Sequence, residues 1–256
     1  MECLREKQQE WCFRLDIEKR FSDNSFFVTL TYEDENLTFA DGEPCLSKRD
    51  VQLFFKRLRK MFKNDRFKYY CVGEYGEQPR LISPKGRPHY HALIFYRGKQ
   101  DWFTIACAIK ELWNLGITKV LPVLGAQGYV TKYVMKFDRR DHLVPPFSLI
   151  SRGLGIDYLS SSMVSYHHET LNNFALKPGG YRVKLPRYYM DKIFSTYERL
   201  LMKKRADLYR RKVEMKKLAQ YDIMWQMGVN PFANAMNNYK NRLYQSLKLY
   251  KEKHRL

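Results

Sequence analysis

The chain of 256 residues carries 46 Lys+Arg against 27 Asp+Glu, a net charge of +19, with 45% apolar and 15% aromatic residues. That composition supports a packed core and excludes a disordered chain, and the charge points to a polyanionic partner, of which nucleic acid is the commonest. There is no run of 18 apolar residues for a membrane span, no apolar signal-peptide core in the opening MECLREK, and no GxxxxGK[ST] for an ATP-driven motor. Five scattered cysteines (Cys3, Cys12, Cys45, Cys71, Cys107), without a CxxC pair, suit a reducing, cytoplasmic setting and argue against a zinc ribbon.

In chain order, residues 4–20 mix charge with Trp11, Phe13, Leu15 and Ile17 and read as a helix. Ser25–Tyr32, SFFVTLTY, is rich in β-branched and aromatic residues and reads as a strand. Glu33–Ser47 is a loop, and Ser47 is placed to cap a helix whose apolar residues Val51, Phe54, Phe55, Leu58, Met61 and Phe62 recur at helical spacing. Its other face, Lys56, Arg57, Arg59 and Lys60, suits solvent or phosphates. Phe67–Gly73 reads as a second strand ending in Glu74-Tyr75-Gly76-Glu77, and the loop 78–88 returns the chain into a third, beginning near Tyr90. These two form a long antiparallel hairpin. A helix over Trp102–Trp113, a strand over Ile117–Leu124 and a helix carrying Tyr129 and Tyr133 follow. The order predicts an α+β fold, an antiparallel sheet with helices on one face. Residues 146–185, marked by Pro146, Gly153, Gly155, Pro178 and Gly180, read as an irregular connector, and 186–256 as a basic helical region.

Residues two apart in a strand share a face, so His89 and His91 project side by side. Alone a His-x-His pair is a weak motif and as well satisfied by a structural role. Two imidazoles want an oxygen ligand to hold a divalent ion, and the hairpin brings Glu74, with Glu77 as runner-up, toward His89. Such a set suits Mn²⁺ or Mg²⁺ gripping a phosphate oxygen. On the later helix Tyr129, Tyr133 and Lys136 fall at i, i+4 and i+7, one stripe, with Lys132 three residues from Tyr129. A tyrosine pair is commonly core. Here the adjacent lysines offer a way to activate a phenol whose ordinary pKa is about 10, and two tyrosines on one face are what a two-step strand transfer needs.

The sequence resembles the HUH endonucleases, specifically the replication initiator proteins of gokushovirus-like microviruses. The matching pieces are Phe27-Val-Thr-Leu-Thr-Tyr32, Gly73-Glu-Tyr-Gly76, Arg87-Pro-His-Tyr-His91, Tyr129-Val-Thr-Lys-Tyr-Val-Met-Lys136, Ser151-Arg-Gly-Leu-Gly155 and Leu185-Pro-Arg-Tyr-Tyr189. The resemblance implies an RRM-like antiparallel sheet in an HUH endonuclease domain over residues 1–145. It further implies a metal-dependent nick in single-stranded viral origin DNA in the cytoplasm of the bacterial host, with a tyrosine left on the 5′ end and a free 3′-hydroxyl to prime rolling-circle synthesis. Such proteins often carry a short cysteine-bearing segment ahead of the region that begins here at Cys3, which implies a chain that starts late. The basic tail suits duplex origin DNA, a host helicase or polymerase, or simple packing. Two other readings stand beside this one: a non-catalytic single-strand binder, and a plasmid or transposon nickase with the same chemistry.

Overall fold

The computed structural model describes residues 2–77, 83, 86–123, 144–176 and 180–253. They fall into two compact units, residues 1–193 and 194–256. The first opens with α1 (Glu2–Arg20), β1 (Asn24–Thr31), a small hairpin of β2 (Thr38–Ala40) and β3 (Glu43–Cys45), and α2 (Lys48–Met61). Then come β4 (Arg66–Tyr75), β5 (Pro88–Arg97), α3 (Trp102–Leu112), β6 (Thr118–Pro122) and β7 (Phe147–Ile150). The unit closes with α4 (Ser161–Thr170), the pair β8 (Phe174–Leu176) and β9 (Arg182–Lys184), and α5 (Arg187–Ile193). Local chemistry explains several joints. Ser47 Oγ accepts from Asp50 N at 3.2 Å and Asp101 from Thr104 N at 3.0 Å, capping α2 and α3 as expected of these residue types. Asp41 and Gly42, both at positive φ, make the two-residue turn between β2 and β3.

The architecture is α+β, around a five-stranded sheet in the order β6-β1-β5-β4-β7 with every neighbour antiparallel. The β4–β5 hairpin runs from Arg66 opposite Arg97 to Tyr75 opposite Pro88. On one face, Phe26, Val28, Leu30, Tyr90, Ala92, Ile94 and Tyr96 pack against Val51, Phe54, Phe55 and Leu58 of α2 and Ile105 and Ile109 of α3. The helices are not confined to that face. Leu15 of α1 joins Tyr70, Val72, Leu93, Phe95 and Leu154 in a second cluster on the opposite face, with Trp11 against Tyr70 at 5.0 Å between centroids. α1 is itself enclosed, because Phe13 meets Tyr158 and Tyr189 at 5.4 and 5.9 Å. The charged sequence of α1 shows that it is half-buried but not which face of the sheet it covers.

Residues 146–185, irregular by pattern, thus carry β7, α4, β8 and β9, each too short to show a period of its own. Gly155 is a joint that other residues would not fill. Its φ is +74°, and a Cβ there would lie 2.7 Å from both the Arg14 carbonyl oxygen and the Tyr189 hydroxyl.

The second unit contains α6 (Thr196–Gln226) and α7 (Pro231–Lys253). A capping box starts α6: Ser195 Oγ accepts from Glu198 N at 3.2 Å while the Glu198 carboxylate accepts from Ser195 N at 2.7 Å. Tyr221 and Phe232 pack across the break between these helices, 5.5 Å apart. Among the described residues no helix is long and apolar enough to cross a membrane.

Candidate metal centre

The β4–β5 ladder sets Glu74 directly opposite His89, and His91 follows two residues on along the same face. Glu74 Oε1 lies 2.9 Å from His89 Nε2 and 3.3 Å from His91 Nε2. One ligand atom from each residue falls within 4.8 Å of the other two. The Glu74 side chain is 10% exposed, that of His91 10% and that of His89 18%, so the cluster is shielded yet reachable from one side. Glu77, the alternative carboxylate, is an exposed residue past the end of β4 and is not a member of this cluster.

Each imidazole is held from behind. His89 Nδ1 lies 3.1 Å from the Arg87 carbonyl oxygen, and His91 Nδ1 lies 3.1 Å from Thr29 Oγ1. A carbonyl only accepts, so His89 Nδ1 carries a proton and Nε2 is the nitrogen turned to Glu74. Two lone-pair-bearing atoms 2.9 Å apart repel unless positive charge sits between them, either an imidazolium proton or a bound cation. Burial works to raise the Glu74 carboxyl, but hydrogen bonds and charge from His89 and His91 outweigh it and hold it down to about 2. Two oriented imidazoles and an ionised carboxylate around one point are a donor set that fits a divalent ion.

The strand itself is locked from its other face. Tyr90, between the two histidines, turns into the α2 side, where its hydroxyl lies 2.8 Å from the Tyr32 hydroxyl and accepts from Ser47 N at 2.8 Å. Tyr32 donates to Asp50 Oδ2 at 2.9 Å, and burial pushes both phenols up, keeping them protonated. Arg87 donates to the Tyr32 carbonyl oxygen at 2.5 Å and pairs with Asp34, fixing the chain where it enters β5. Phe27 stacks on His91 with ring centroids 5.8 Å apart and planes 9° off parallel. Thr29 and the anchoring role of Arg87 have no signal in the sequence, because both depend on which strand lies beside β5. Tyr129, Lys132, Tyr133 and Lys136 lie outside the described residues.

Residues 25–138 match a family of replication-associated proteins, that of the protein ORF2. The chain is 26% identical to "Replication-associated protein ORF2" of Spiroplasma virus 4, over 98% of this chain and 84% of that protein. Its relatives are viral replication-associated proteins. Another, "Replication-associated protein VP4" of Bdellovibrio phage phiMH2K, is 28% identical over 92% of this chain and 77% of its own length. "Replication-associated protein ORF4" of Chlamydia phage 1 is 27% identical over 74% of this chain and 51% of that protein. No solved structure matches. The span shared with the replication-associated family opens in β1 and takes in Thr29, Glu74, His89 and His91, so the whole cluster falls inside it.

Proposed function

We propose that this protein initiates rolling-circle replication by nicking and rejoining one strand of single-stranded origin DNA in the cytoplasm of a bacterial host. The observation that carries the reading is the convergence of Glu74 Oε1 with Nε2 of His89 and His91 at one end of the sheet. Similarity to viral replication-associated proteins and a net charge of +19 support it. Glu74, His89 and His91 would hold Mn²⁺ or Mg²⁺, which when bound supplies Lewis acidity toward a non-bridging phosphate oxygen. Tyr129 or Tyr133 supplies the nucleophilic oxygen. Its bond to phosphorus forms as the bond from phosphorus to the 3′-oxygen breaks; the phenol proton passes to solvent, and the departing oxygen takes up a proton to become the 3′-hydroxyl. Lys136 and Lys132 offset the cost of a phenolate and steady the charge on the pentavalent phosphorus. With two tyrosines, one holds the 5′ end while the other cuts again. The 3′-hydroxyl then serves the host polymerase, with the host helicase opening the duplex.

The test is to incubate the protein and Mn²⁺ with overlapping single-stranded segments that tile its genome, then run a denaturing gel. An SDS-resistant protein–DNA band is expected, lost with EDTA and in the Tyr129→Phe/Tyr133→Phe double variant. Binding without any covalent band, across ions and segments, would make the protein a non-catalytic single-strand binder. Either single substitution is expected to keep part of the first cut and to impair the linked cut-and-rejoin cycle. Complete loss from one and none from the other would overturn the two-tyrosine scheme.

A further inference from the structure

A second feature lies on the same sheet face as the metal centre, at the opposite end of β4 and β5. It is a cavity of about 290 Å³ lined by Arg66, Lys68, Arg97 and Arg152 together with Glu18 and Asp157. Arg66, Lys68 and Arg97 fall on one face of the hairpin, Arg66 directly opposite Arg97, and Arg152 arrives from the loop after β7. Six residues of strand separate His91 from Arg97, roughly 20 Å.

Its charges divide into two sets. Lys68 and Arg97 are tied to the carboxylates of Glu18 and Asp157. Arg66 and Arg152 are exposed at the rim. Four cations against two carboxylates leave a local surplus of positive charge. The Nε of Arg97 is buried and makes no hydrogen bond, a costly state for a donor and one that an acceptor oxygen entering the cavity would relieve. The Phe95 ring in the floor is only 1% exposed and offers no face for a base to stack on. The chemistry of the cavity is therefore that of a phosphate group rather than a nucleobase.

We infer that this notch binds a backbone phosphate of nucleic acid, a second anchor for the strand held some ~20 Å from the metal centre. It rests on DNA being the partner but not on the cut, so it is read by binding alone. Arg66 and Arg152 are the contacting cations. Lys68, Glu18 and Asp157 shape the notch, and Arg97 supplies its buried donor.

The experiment measures DNA affinity against salt for the His91→Ala protein, which keeps the notch and removes cleavage from the readout, with single-stranded and hairpin-duplex probes. In that background Arg66→Ala/Arg152→Ala is expected to flatten the slope of log K against log[salt] by about 1.4 on single strands, or about 1.8 on duplex, as two lost phosphate contacts require. The probe that shows the change identifies which form of DNA occupies the notch. Arg66→Lys/Arg152→Lys should restore the slope, since the charge is kept. Lys56→Ala/Lys60→Ala, two exposed cations on α2 across the sheet, should leave it nearly unchanged. An equal fall in both alanine pairs, or none in the arginine pair, would overturn the notch while leaving the replication reading intact. Failure of the unaltered chain to bind DNA at all would overturn both.

Discussion

His91→Ala is expected to lower covalent DNA adduct formation by about 10³-fold or more, corresponding to several kcal/mol of lost Lewis-acid stabilisation. Affinity for DNA should change by less than about threefold. The two readouts separate because they rest on different parts of the molecule. The chemistry depends on three donor groups gathered at one point, with His91 Nε2 3.3 Å from Glu74 Oε1. Binding draws on cations spread over a chain with a net charge of +19, so no single imidazole carries much of it. His91 is mostly buried and stacks on Phe27, so its truncation also costs about 1–2 kcal/mol of packing. For a unit of this size that lowers the melting temperature by roughly 2–8 °C, too little to unfold it at room temperature. Adduct yield with increasing Mn²⁺, salt-matched affinity and a melting curve check the prediction together. Parallel loss of binding and folding would make His91 a structural residue and remove the basis for a metal centre.

The parts of this arrangement visible in the sequence are those set by local period and by chain-adjacent pairing. His89 and His91 share a face because a strand repeats every two residues, and Glu74 meets them because a hairpin folds the end of β4 onto the start of β5. Thr29 and Phe27 reach His91 only because β1 lies on the far side of β5, a pairing across more than 60 residues that no local pattern encodes. The Asp41–Gly42 turn can be read, but strands of three residues on either side are too short to stand out from a loop. The placement of α1 is hidden for another reason. Its apolar residues Phe13, Leu15 and Ile17 are interleaved with charge and serve two neighbours, the sheet and the Tyr158–Tyr189 layer. In sequence Glu18 looks like an ordinary acid at the solvated end of a charged helix.

Glu18→Ala is expected to cost about 3 kcal/mol of stability, the lower end of what breaking a buried ion pair costs. Glu18 is 1% exposed and accepts from Lys68 Nζ at 2.8 Å, Arg97 Nη2 at 3.0 Å and Gly155 N at 2.7 Å. One carboxylate thus joins α1, both strands of the hairpin and the loop after β7. Its removal leaves two cations with Asp157 as their remaining acid, which lies 2.5 Å from Arg97 and 4.0 Å from Lys68. The lower figure applies because the Lys68 and Arg97 side chains are 23% and 26% exposed, so water partly screens what is lost. A fall in melting temperature of roughly 6–12 °C follows, and Glu18→Gln, which keeps the shape and an acceptor oxygen, should lose less. Geometry at the other end of β5 is set by the ladder with β4 and by the Tyr90 anchor, neither of which involves Glu18. Adduct formation at about 25 °C should therefore persist in Glu18→Ala while thermal stability falls. A melting temperature within about 2 °C of the unaltered protein would mean that water screens the carboxylate and that the loop after β7 is held by packing around Leu154 instead.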